Sequence, residues 1–312
     1  MVHLYMEVSD MKKFILHIVI FITIVAAVDY AVGKIIYYLQ ANAGGRTGAE
    51  FYAHENATED IIIMGSSRAS HHYVPEIISQ ELGMSCFNVG QDGNGIILQY
   101  GRWKSLTKRQ TPKLIIYDIH MGYDIETNDN MAYVDRLKPF SDDDDVNGYI
   151  SAIFPLEKLK LLSQMYRYNY KFLEMTSDYI GKSDYSANAG YFPLFGHIRK
   201  DVADKQPQKK VLTEVDEVKI HYLEQLIKDA NKVGTKVVFV VSPSWKGGNY
   251  DVGQYSIVKD LANKYGVPFW EYTNSDIGRN SDYFEDSSHL NDKGARIFTK
   301  LICARINELM AL

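Results

Sequence analysis

The 312-residue sequence predicts an α/β domain: a doubly wound sheet of about five parallel strands, with a central insertion and an N-terminal transmembrane helix. Three observations predict it. Short, continuous apolar runs alternate with helix-length segments, as in a parallel sheet buried on both faces. That rhythm lapses between about residues 121 and 208 and then resumes. One longer apolar run stands near the N-terminus.

The N-terminal run is Phe14–Val28, FILHIVIFITIVAAV, and its apolar character continues toward Ile36. That extension reaches the roughly 20 residues needed to cross a bilayer. Lys12 and Lys13 precede it and few basic residues follow, which predicts residues 1–40 to be a cytoplasmic tail and signal anchor. A cleaved signal peptide is the competing reading, but no clean A-x-A site follows. A buried helix of a soluble protein is a third reading; the anchor and signal-peptide readings both put the rest of the chain outside the cytoplasm, in the periplasm or at the cell surface. Residues 41–59 are polar and Gly-rich and read as a linker, leaving 60–312 as the folded domain.

Within that domain, Asp60–Met64, Met84–Val89 and Lys113–Ile119 read as strands, with helices over Pro75–Leu82 and Ile96–Leu106 between them. The insertion at about 121–208 is expected to pack over one end of the sheet. Its acidic run Asp142–Asp145 lacks the spaced ligands and turn glycine of a calcium loop and reads as a solvated loop. Helix Val211–Val233, strand Lys236–Val241, helix Asp251–Tyr265, strand Val267–Tyr272 and helix Asn291–Leu309 complete the pattern.

Composition excludes some functions. A formal net charge of -5 without a concentrated basic patch argues against nucleic acid as a partner. No His/Cys cluster has metal-ligand spacing, so neither metal nor cofactor is expected. Cys86 and Cys303 read as buried apolar residues. The 23 tyrosines suit carbohydrate surfaces and packed loops alike.

Ligands of such sheets bind beyond the carboxyl ends of the strands. Gly65-Ser66-Ser67-Arg68 follows the first strand and Asn88-Val89-Gly90-Gln91-Asp92-Gly93-Asn94-Gly95 the second. Asp118 and His120 follow the third, Ser242-Pro243-Ser244-Trp245 the fourth, and Asp286-Ser287-Ser288-His289 comes after the fifth. A serine in a strand-to-helix turn is exposed near free backbone N–H groups. It becomes a nucleophile when a base and an orienting group accompany it. Asp286 and His289, three residues apart, can fall on one side of a turn. Singly, a Gly-Ser-Ser turn is usually only a turn, and a D-x-x-H pair usually a cap with a surface histidine.

Jointly these blocks resemble the SGNH/GDSL hydrolase superfamily. The resemblance covers roughly Asp60 to Leu309, apart from the insertion. It implies a flavodoxin-like hydrolase fold and a triad in which Ser67 is the nucleophile, His289 the base and Asp286 its orienting group. It assigns the Gly93 N–H to the oxyanion hole. Two departures stand out: Ser66 replaces the usual Asp, and Tyr117-Asp118-Ile119-His120 lacks the third-block asparagine that completes the oxyanion hole. Asn94 and His120 are the candidate replacements. Arg68 reads either as an anion-binding rim residue or as half of a structural salt bridge; His71 and His72 read as surface or packing residues; Trp245 reads as cleft or core.

The expected function is an esterase acting on O-acyl groups, with an acylated glycan of the cell envelope as substrate and the membrane as second partner. Acyl transfer by the same triad, or a non-catalytic envelope-binding protein that keeps the fold, are the alternatives.

Overall fold

A computed structural model describes residues 8–310, apart from 182 and 213. The first seven residues of the expected cytoplasmic tail lie outside the described residues. Helix α1 (Val8–Ala41) opens the chain, and its stretch Asp10–Ala41, which holds an 18-residue window of mean hydropathy 2.4, is long and apolar enough to cross a membrane. Helix α2 (Gly45–Glu55) follows.

The sheet is built as expected. Strand β1 (Ile61–Gly65), helices α3 (Ser67–His72) and α4 (Pro75–Leu82), strand β2 (Cys86–Asn88), helix α5 (Ile96–Leu106) and strand β3 (Leu114–Asp118) form its first half. The insertion contributes α6 (Met121–Asp124), α7 (Asn130–Val134), α8 (Asp144–Ile153), α9 (Glu157–Lys160), α10 (Gln164–Tyr168), α11 (Phe172–Gly181) and α12 (Lys200–Ala203). Helix α13 (Glu217–Val233), strand β4 (Lys236–Val241), helix α14 (Ser256–Tyr265), strand β5 (Phe269–Glu271) and helix α15 (Asp292–Met310) complete the fold.

All strand pairs are parallel, in the order β2-β1-β3-β4-β5. Side chains alternate across the sheet. Ile62, Met64, Ile115 and Tyr117 face the core shared with α5 and α13, whereas Ile61, Ile63, Leu114 and Ile116 face α4 and α15. The strand order reverses between β1 and β3, and their carboxyl ends frame the crevice where such sheets bind ligands.

Four local expectations need correction. The segment read as a linker contains α2, whose Ala49 and Ala53 join the core and whose Thr47, Glu50 and His54 are also buried. Helix α13 begins at Glu217 because Asp216 caps it, accepting from the N–H groups of Val218 and Lys219; Val215 instead forms a β-bridge with Glu126. The acidic run starts α8: Asp143 accepts from the N–H groups of Asp145 and Val146 and pairs with Lys108 at 2.5 Å. Finally, the insertion packs mainly outside α5, where Val134, Leu137, Val146 and Ile150 extend the core, rather than over the strand ends.

Candidate active site

The turn after β1 fixes Ser67. Gly65 has φ +135°, and a Cβ there would meet the Asp118 carbonyl oxygen at 2.5 Å, so the chain can turn out of β1 beside β3 only at glycine. Ser67 then starts α3, partly exposed, while its neighbours Ser66 and Arg68 are buried. The loop after β2 closes on this helix. A Cβ at Gly90 would lie 2.5 Å from the Ser70 nitrogen. Asn88 ties the two together: its amide donates to the carbonyls of Ala69 (2.7 Å) and Tyr73 (3.3 Å), and its oxygen accepts from Gly90 N–H (2.9 Å).

His289 approaches from the loop before α15. Its Nε2 lies 2.7 Å from Ser67 Oγ, and its Nδ1 lies 2.8 Å and 3.1 Å from the two Asp286 oxygens. Asp286 also accepts from the backbone N–H groups of Ser288 (2.7 Å) and His289 (2.9 Å). Partial burial acts to raise the Asp286 carboxyl, but the hydrogen bonds and charge of His289 and the two backbone donors outweigh it and hold it below the usual carboxylate range. Ser67, distant in sequence from the Asp286–His289 pair, thus completes one continuous chain of hydrogen bonds.

No family model matches the chain, and no curated protein matches it. Solved structures are similar at low identity. A protein from Bacteroides fragilis, provisionally named an acylhydrolase, is 13% identical over 82% of this chain and 93% of its own, with a TM-score of 0.39. An acetyl xylan esterase is 12% identical over 79% and 99%, with a TM-score of 0.39. A two-domain esterase active on acetylated mannans is 11% identical over 86% of this chain and 54% of its own, with a TM-score of 0.41. At that distance, function has to be read from the residues of the site itself.

The turn after β1 and the loop after β2 also carry backbone N–H groups. Among the described residues, the N–H groups of Ser67 and Gly93 donate to nothing within the chain. Asn94 is 5% exposed, and its amide donates to the Asp92 carbonyl at 2.8 Å, inside its own loop. His120, the other candidate, is held in one tautomer. Its Nδ1 accepts from Gly122 N–H at 3.1 Å, which leaves the proton of the neutral ring on Nε2. Burial, with Arg68 and His289 nearby, keeps this ring well below the usual histidine range and therefore neutral.

His120 also lines a cleft of about 210 Å³ beside the triad, together with Arg68, Ser244, Tyr250, Tyr255 and Ser288. Arg68 pairs with the fully buried Asp118 at 3.2 Å, the structural alternative of the two expected for it. Tyr73 OH donates to the same carboxylate at 2.6 Å. Trp245 is buried in the core against Phe284.

Three supporting residues were not legible as such. His72 is buried; its Nε2 accepts from Leu290 N–H at 3.0 Å and its Nδ1 meets Ser242 Oγ at 2.9 Å, which pins the loop carrying His289. His71 bridges the Phe192 carbonyl and Asp92, edge-on to His289 with ring centroids 5.5 Å apart. Asp124 accepts 2.7 Å hydrogen bonds from His120 N–H, Ile96 N–H and Tyr117 OH, so it fixes His120 against the start of α5. A histidine or aspartate with such local duties has no sequence signature, because its partners are set by the tertiary fold.

Proposed function

We propose that this chain is a membrane-anchored serine esterase of SGNH type that removes O-acyl groups, from glycans of the cell envelope, outside the cytoplasm. The observation that carries the reading is the relay from Ser67 Oγ through His289 to Asp286, with spacings of 2.7 and 2.8 Å. His289 Nε2 takes the Ser67 proton as Oγ attacks the acyl carbonyl, and Asp286 stabilises the imidazolium. The N–H groups of Ser67 and Gly93 and the Nε2–H of His120 stabilise the oxyanion. The sugar hydroxyl leaves with the proton from His289. Water, activated by the same ring, then releases the acid and restores Ser67.

The catalytic unit is the 60–312 domain, with α2 packed onto it. Residues 1–40 are the tail and an uncleaved anchor. Support for an uncleaved helix comes from its C-terminal part, where Ile36 packs with Tyr168 and Met175.

Fluorophosphonate labelling of the full chain in detergent tests the chemistry. One equivalent of probe is expected on Ser67, with no labelling of Ser67→Ala. Hydrolysis of 4-nitrophenyl acetate is expected to fall by about 10⁴-fold in Ser67→Ala and in His289→Ala, and less in Asp286→Ala. A folded wild-type protein that neither labels nor hydrolyses would refute the reading.

A further inference from the structure

The insertion exposes apolar side chains where α1 meets it. Leu156, Leu159 and Leu162 are 74%, 70% and 75% exposed, at every third residue in and beside α9, and Met165 follows at 45%. A contiguous apolar cluster on a surface marks a contact. The cluster is joined to α1 through Asp29, which accepts from Ser163 Oγ (2.6 Å) and from the N–H groups of Gln164 (2.7 Å) and Met165 (3.0 Å). One turn further along α1, Gly33 lets Gln164 approach so closely that a Cβ on Gly33 would lie 2.3 Å from Gln164 Cβ. The leucines are therefore held at the level where the strongly apolar run Phe14–Val28 ends. Lys158 and Lys160 stand exposed among them, and long cationic side chains beside leucines suit the lipid headgroup level.

We infer that the α9 leucines and Met165 enter the headgroup–acyl boundary of the bilayer beside α1, making the insertion a second membrane contact. The inference rests on the reading of α1 as a membrane-spanning anchor. A single helix would leave the domain free to tilt. A second contact, fixed to the first by Asp29, sets the height and orientation of the cleft above the lipid.

The test uses the full chain in phosphatidylcholine–phosphatidylglycerol nanodiscs, with an environment-sensitive fluorophore on one introduced cysteine at a time. The native Cys86 and Cys303 are buried. Leu159→Cys probes the proposed contact, Ile22→Cys the middle of α1, and Leu301→Cys the outer surface of α15. Blue-shifted emission and quenching by doxyl lipids are expected at positions 22 and 159, with neither at 301. Quenching at 22 without quenching at 159 overturns the inference and leaves the anchor intact. If position 159 is then shielded only in native membranes, a protein partner is its occupant instead. Equal quenching at 159 and 301 also overturns it. Absence of quenching at 22 removes the anchor reading, and this inference with it.

Discussion

The proposed role of His120, as replacement for the asparagine missing from the third block, has a chemical basis in its ring. Accepting from Gly122 N–H fixes the tautomer, and burial keeps the ring uncharged, so Nε2 carries the one N–H that the proposed donor role needs. Removing one oxyanion donor typically costs about 10²-fold or more in kcat. We expect His120→Ala to lower kcat by about that factor with little change in KM, and His120→Asn to recover part of it. Steady-state kinetics on 4-nitrophenyl acetate decides; a change within experimental error moves the donor role elsewhere. Asp124, which holds His120, titrates in an accessible range. Burial raises its carboxyl from the ordinary 3.8 to about 6, against the opposing hydrogen bonds from His120, Tyr117 and Ile96. A carboxyl raised on folding favours the folded state below its unfolded pKa, and that contribution is lost as pH rises through about 6. Asp124→Asn removes the titration. Its stability relative to the parent should therefore improve by about 2 kcal/mol between pH 4 and pH 7.5. Urea unfolding at the two pH values measures this, and a pH-independent difference would show that Asp124 does not titrate there.

The elements differ in how plainly the sequence announces them. The strands were legible because most are continuous apolar runs, as a sheet covered on both faces requires; only the edge strand β5 is half-buried and ends on Glu271. Helix α2 was not legible, because it buries polar side chains whose partners come from remote segments. Glu50 is 3% exposed and meets Arg136 at 2.7 Å, Arg102 at 3.3 Å and the Lys171 ammonium. Arg102 in turn donates to the Val89 carbonyl and to Gln91, and Arg46 pairs with Asp92 at 2.8 Å. Through these contacts α2 braces the loop that carries Gly93. Glu50→Gln would leave three cations around a neutral amide. Breaking a buried ion pair by removing one partner costs about 3 kcal/mol or more. We expect that loss in urea unfolding, with a fall in esterase kcat as the loop loosens. Unchanged stability would mean that the cations find other counter-charges.

At the scale of the whole molecule, the strand reversal between β1 and β3 brings Ser67 and His120 to one crevice, and α15 returns His289 to it from the far end of the chain. This much of the site was legible, because strand ends in a parallel sheet converge whatever their spacing in sequence. The insertion's packing was not, since its short helices carry too few turns for a clear apolar stripe. The abundant tyrosines also sort only in three dimensions: Tyr73, Tyr117 and Tyr149 are core, whereas Tyr250 and Tyr255 line the cleft. The same architecture separates the exposed apolar run of α1 from the part that packs on the domain. Upstream of Asp29, α1 exposes its apolar side chains, and downstream it packs on α10 and α11 through Ile36, Tyr168 and Met175. A chain starting at Asp29 therefore keeps every contact that shapes the site and loses only the exposed apolar run. We expect it to hydrolyse 4-nitrophenyl acetate with kcat/KM within a few-fold of the full chain. A chain starting at Ala57 lacks Ala49, Ala53 and the Glu50 cluster, and should show neither cooperative unfolding nor activity. Equal activity from the two truncated chains would mean that α2 and the end of α1 are dispensable, and that the hydrolase unit begins at β1.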